Sequence, residues 1–147
     1  MKKFLPILCL VLLSVHSYSQ EIIPDVETVT KDGLVYHQDT NELVTGTVEG
    51  FHENGQLEYR RDYKDGEQVG LYEIFHENGQ LEFSSNYIDG ELDGLYEYFH
   101  ENGQLNVRGN YIDGVPDGLF EDFDEDGNLT KTETWENGEV VEYNLNP

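Results

Sequence analysis

Apolar and polar residues alternate with a period of two along much of the chain, and the alternation itself recurs. Leu57, Tyr59 and Tyr63 return as Leu81, Phe83 and Tyr87, then as Leu105, Val107 and Tyr111, with Glu58, Arg60, Asp62 and their counterparts between them. A two-residue period sends successive side chains to opposite faces, so each segment predicts a strand with one apolar and one polar face. The strand before each of these is harder to assign. Phe51, Phe75, Phe99 and Phe123 recur, but they share parity with Glu49, Glu73, Glu97 and Glu121, which calls for a bulge or a strong twist.

Self-similarity extends over whole units. Segments 46–69, 70–93, 94–117 and 118–141 align without a gap, the outer two being degenerate copies of the inner two, as capping units of an array are. Asn54-Gly55 returns as Asn78-Gly79, Asn102-Gly103 and Asp126-Gly127. Such pairs accept the positive φ of a two-residue type I′ turn, which predicts one hairpin per unit. Asp65-Gly66, Asp89-Gly90, Asp113-Gly114 and Asn137-Gly138 then link one hairpin to the next, and Pro116 predicts a looser loop running to Gly118.

The predicted fold is all-β: an elongated single-sheet antiparallel meander of stacked β-hairpin repeats with a 24-residue period, about ten short strands in all. Residues 20–32 are expected to form a mobile leader, with a short strand around Val26–Val29. Residues 33–45 are expected to form a partial N-terminal repeat that begins the sheet. Residues 46–147 hold the four repeats and a C-terminal cap in which Val140–Tyr143 closes the far edge, and Glu139 and Glu142 oppose edge-to-edge association.

Residues 1–19 have the layout of a signal peptide. Lys2 and Lys3 precede an apolar run from Phe4 to Val15, and Ser17-Tyr18-Ser19 supplies small residues before a cut at Gln20. The run is too short for a bilayer core, which needs ~20 helical residues. Lipidation at Cys9 fits less well, because Leu8 precedes it and the apolar run continues beyond it. Cleavage leaves a mature chain without cysteine, so packing and hydrogen bonds must hold it together. The expected location is the periplasm, the cell surface or the extracellular space.

Charge narrows the partner. Thirty-one acidic and eight basic residues give a formal charge of −23, and losing residues 1–19 removes two lysines and no acid. Nucleic acid and anionic membranes are poor partners for such a chain, and a protein with a cationic surface is a good one. Ten Tyr, seven Phe and one Trp are too many aromatics for an acidic disordered tail.

The unit Gly70-Leu71-Tyr72-Glu73, Phe75-His76-Glu77-Asn78-Gly79-Gln80-Leu81, Tyr87-Ile88-Asp89-Gly90 closely resembles the MORN-repeat-variant family, with four units in register over about residues 32–141. The resemblance implies an all-β hairpin array. It also implies two roles, since proteins of this kind are often labelled antitoxins of the YwqK type and MORN arrays are described as mediating protein or lipid contacts.

Candidate chemistry is sparse. Asp122, Asp124, Asp126, Gly127 and Glu133 match the calcium-loop pattern D-x-[DN]-x-[DN]-G-x5-E. The repeat register offers a plainer origin, because Asp126-Gly127 is the fourth copy of the hairpin turn and the flanks read as strands. His52, His76 and His100 invite a zinc reading, but equivalent positions lie two strands, ~10 Å, apart, too far for ligands at ~2 Å from one ion. The column Glu49, Glu73, Glu97 and Glu121 lacks the asymmetry and enclosure of paired catalytic carboxylates. No catalytic residue, cofactor or committed metal site is therefore expected. Interaction candidates are the variable column Arg60, Ser84 and Arg108, and the exposed contact area of Tyr63, Tyr87, Tyr111 and Trp135. The expected function is a secreted or periplasmic, non-enzymatic repeat scaffold for protein–protein interaction, with an antitoxin or immunity-type protein and a carbohydrate-binding surface module as alternatives.

Overall fold

A computed structural model describes residues 21–146; the signal-peptide reading and Cys9 lie outside them. Strand residues fall into β1 (Ile22–Pro24), β2 (Thr28–Lys31), β3 (Leu34–His37), β4 (Gly46–Phe51), β5 (Leu57–Lys64), β6 (Glu67–Phe75), β7 (Leu81–Ile88), β8 (Glu91–Phe99), β9 (Leu105–Ile112), β10 (Val115–Pro116), β11 (Gly118–Phe123), β12 (Leu129–Glu136) and β13 (Glu139–Leu145). From β4 onward the strands pair antiparallel in chain order, β10 adding a short pairing to β9, and form one large meander. Among the described residues no helix is long and apolar enough to cross a membrane.

Two kinds of turn alternate along this meander, and they are assigned the opposite way from the sequence expectation. The Asp-Gly links are the two-residue turns, with both residues at positive φ: Asp65 at 51° and Gly66 at 81°, and likewise at Asp89, Asp113 and Asn137. In the Asn-Gly turns only the glycine is left-handed. Gly55 N donates to His52 O at 2.8 Å and His52 N to Gln56 O at 2.9 Å, so Glu53-Asn54-Gly55 is a three-residue loop of the type I plus glycine-bulge kind. The pairing register shifts beside it, between Gly50 and Phe51, and again at Ile74/Phe75, Tyr98/Phe99 and Asp122/Phe123. The extra residue lies on the returning strand, Glu58 between Leu57 and Tyr59 and its counterparts later, so each phenylalanine stays on the face of its glutamate, where Arg60 lies over the Phe75 ring at 5.8 Å. Pro116 does not loosen its connection: Asp113-Gly114 turns like its siblings, and Pro116 pairs with Tyr111 in β10.

The N-terminal end corrects two further expectations. The segment read as a mobile leader is built into the structure: β1 pairs in parallel with β4, Ile22 opposite Thr47 and Pro24 opposite Glu49. Residues 33–45 do not begin the large sheet, because β3 pairs with β2 in a separate two-stranded sheet. Ile23, Val35, Val44, Val48 and Tyr63 pack between these pieces as a buried cluster, and Tyr59 Oη donates to Asp25 Oδ2 at 2.7 Å. Burial first, and the Asp25 carboxylate second, push the Tyr59 hydroxyl well above its usual range.

Beyond this end one layer of sheet must shield its own apolar face. It does so by interleaving rings across strands: Tyr87 meets Tyr72, then Phe83, Tyr96, Tyr111, Phe120 and Trp135 follow, with centroids 5.2–6.1 Å apart. Four of these contacts are edge-to-face and two are tilted, and edge-to-face pairs add ~0.5–1.5 kcal/mol each beyond the area they bury. Gly109 makes room for the row, since a Cβ there would lie 2.2 Å from the Phe120 ring.

Candidate interaction surfaces

Cross-strand register sets the opposite, polar face. One row runs Glu49, Arg60, Glu73, Ser84, Glu97, Arg108, Glu121, Thr132, each opposite the next. The glutamate column of the sequence and the variable column Arg60, Ser84, Arg108 are thus one interdigitated row. Arg60 pairs with Glu73, and Arg108 Nη2 lies 2.6 Å from Glu121 Oε2. Hydrogen bonding to those carboxylates raises both guanidinium pKa values further. Two of the three variable positions therefore serve the sheet, each neutralising the glutamate opposite it.

Beside that row runs an apolar zigzag that the sequence reading missed. Leu71, Ile88, Leu95, Ile112 and Leu119 stand on successive strands β6, β7, β8, β9 and β11, each 41–53% exposed. They share the polar face, since Leu71 lies opposite Asn86, two residues before Ile88, and Leu95 opposite Asn110, two before Ile112. Along one side runs the mixed row, in which Arg60 pairs with Glu73 and Arg108 with Glu121; along the other stand the exposed acidic turn residues Asp65, Asp89 and Asp113. The signal was present in the sequence, because Leu71 has the parity of Glu73.

The aromatic candidates lie on the other face and are not the exposed contacts expected of them. Tyr63 is buried in the N-terminal cluster, while Tyr87, Tyr111 and Trp135 are half-buried in the ring row. Their hydrophobic value is spent on packing. Tyr98 donates to Glu82, and that hydrogen bond, ahead of burial, pushes its hydroxyl up to about 12.

The calcium candidates are dispersed by the hairpin. Lys131 Nζ sits 2.7 Å from Asp122 Oδ2 and 3.6 Å from Glu133 Oε2, holding both on the sheet. Asp124 instead caps its own turn, accepting from Asp126 N at 3.0 Å and from Asn128 N at 2.8 Å. Those bonds, the Asn128 side chain's first, hold its carboxyl below the usual range. Among the described residues no three His, Cys, Asp or Glu side chains converge as a metal site.

The histidines have a specific structural task. His52, His76 and His100 Nε2 lie 2.8, 3.1 and 3.0 Å from the carbonyls of Phe75, Phe99 and Phe123, one repeat on. A carbonyl only accepts, so Nε2 carries the proton. Asn54, Asn78 and Asn102 donate in the same sense to Glu77, Glu101 and Glu125 O at 2.8–3.0 Å. Each turn is thereby tied to the next. In the fourth unit the two donors are replaced by Asp124 and Asp126, and among the described residues no further turn of this kind offers them a carbonyl. The calcium-like spelling is the end of this ladder.

The pattern of the family described as MORN repeat variant matches residues 44–65, 68–89, 92–113 and 116–137. Among curated proteins, none matches the chain. Among solved structures, one similar chain is that of an S. aureus TarM mutant in complex with Fondaparinux, alpha-GlcNAc-glycerol and UDP, 13% identical with a TM-score of 0.40. The likeness covers 78% of this chain but 21% of that one. Four matched hairpins at 24-residue spacing span more than half of the sequence, and the chain belongs to the MORN repeat variant family.

Proposed function

We propose that the protein is an exported, non-enzymatic scaffold whose polar face holds a cationic, amphipathic segment of a partner protein. The observation that carries this is the exposed apolar zigzag from Leu71 to Leu119 beside the exposed acidic turns Asp65, Asp89 and Asp113. Exposed apolar patches rimmed by polar residues mark interaction surfaces. Lysines and arginines of the partner meet the acidic turns and speed the encounter, while its apolar side chains cover the leucines and isoleucines. The repeat supplies length, because the second, third and fourth units each add one leucine and one glutamate at the same spacing.

Export rests on the basic start, apolar run and small-residue end of residues 1–19, and sequencing the mature N-terminus tests it, with Gln20 expected first. Binding is tested by affinity capture from the organism's own envelope fraction at low and high salt. The wild type is compared with a Leu71→Asn, Leu95→Asn, Leu119→Asn triple variant. A partner retained at low salt, released at high salt and lost by the variant is expected. Equal capture by the triple variant, or salt-insensitive capture, removes the proposal.

A further inference from the structure

The first unit carries a guanidinium and a side-chain amide at two positions where its sister units have neither. Arg61 occupies the register position held later by Ser85, Gly109 and Glu133, and Gln68 the position held by Leu92, Pro116 and Val140. Both line one cleft, on the aromatic side of the sheet, where the β2–β3 turn stands over β5 and β6. Arg61 is stacked between Tyr59 and Tyr72, its guanidinium 4.7 and 4.4 Å from their ring centroids, and Nη2 donates to Tyr72 Oη at 2.8 Å. Yet Arg61 Nε and Gln68 Nε2 are covered and have no acceptor. Arg60, Arg108 and Lys131 all pair with carboxylates, whereas no carboxylate of the described residues is in ion-pair contact with Arg61.

Covered donors without acceptors are costly, and a guanidinium held without a counterion is more so. In a chain this rich in carboxylates, a retained positive fork next to a free amide points to an acceptor from outside. Planar, two-pronged donation suits a carboxylate. Asp32, Glu67 and Asp89 line the same cleft; they repel a second negative charge and suit an ammonium group. We propose that this cleft binds a free amino acid, its carboxylate against Arg61 and Gln68 and its ammonium toward the acidic wall. The site lies on the face opposite the zigzag and is independent of it.

The test is a nuclear magnetic resonance titration of the full mature chain with each of the twenty common amino acids singly, following the Arg61 Nε–H resonance. At least one is expected to give a saturable shift. Gln68→Leu, which adopts the residue the next unit uses, should weaken that amino acid by about tenfold or more. Arg61→Ser should abolish binding as read at the Gln68 amide, with circular dichroism unchanged in both. No saturable shift with any of the twenty overturns the site. Equally tight binding of the N-acetylated form overturns the ammonium assignment.

Discussion

The two ends of the sheet solve the same problem differently. At the N-terminal end β1 covers the edge of β4 and a second small sheet stands over the face, so that Ile23, Val44 and Val48 are almost without solvent contact. At the other end every side chain of β13 is exposed. A single-layer sheet has no opposing layer to bury against, so packing density depends on what leans over it. The end with an extra layer acquires a core. The rest relies on rings lying against their neighbours, which is cheaper in sequence but leaves each contact half-wet.

Denaturant unfolding of point variants would break or sharpen this contrast. The largest effect should come from Ile23→Ala, expected to cost about 2–5 kcal/mol as a core truncation, whereas Leu145→Ala in β13 should stay within ~0.5 kcal/mol. Equal costs would mean that the two ends are not packed differently. Gly109→Val comes next, since it drives a side chain into the Phe120 ring; overpacking there should cost about 1–3 kcal/mol, and a neutral result would deny that the ring row holds the exposed half. Exchanging turn residues between positions is subtler. Asn78→Asp removes the bond to Glu101 O and should cost about 1 kcal/mol, but Asp126→Asn should be within ~0.5 kcal/mol of neutral, having no turn beyond it.

The smallest effect concerns pH. The Tyr98 hydroxyl is raised to about 12 by Glu82, against an ordinary value of ~10. A raised pKa in the folded state contributes stability that is complete below ~10 and is lost as pH climbs through about 12. Glu82→Gln should bring the Tyr98 ionisation, followed by ultraviolet absorbance, back toward ~10 and flatten stability across that window. An unmoved titration would show that the hydrogen bond does not govern it.

Much of this architecture was legible because it is periodic. Alternation gives the strands and their faces, and the 24-residue recurrence gives the order of pairing. The turns were misassigned for a local reason: Asn-Gly and Asp-Gly carry the same conformational preference, so composition alone does not tell a two-residue turn from a three-residue one. What separates them is the backbone of the first residue, left-handed at Asp65, Asp89, Asp113 and Asn137 but not at Asn54, Asn78 or Asn102. Residues 20–45 do not repeat, so no second copy reinforces their weak pattern. Ile23 looks like any isolated apolar residue until β4 lies next to it. The surface was misjudged for a related reason: aromatic residues suggest contact area, yet here the rings are consumed by packing while plain leucines remain outside.

The turn ladder also says how such a chain can change length. Its bonds all point one way, each turn giving two protons to the turn that follows and the fourth giving none. Duplicating or deleting an inner unit leaves every donor facing an acceptor, so copy number can drift without a local penalty. Appending a unit after the fourth sets the Asp124 and Asp126 carboxylates against carbonyls, acceptor facing acceptor. Growth of the array is therefore free in the middle and blocked at its tail, and the two aspartates act as a stop codon written in hydrogen bonds.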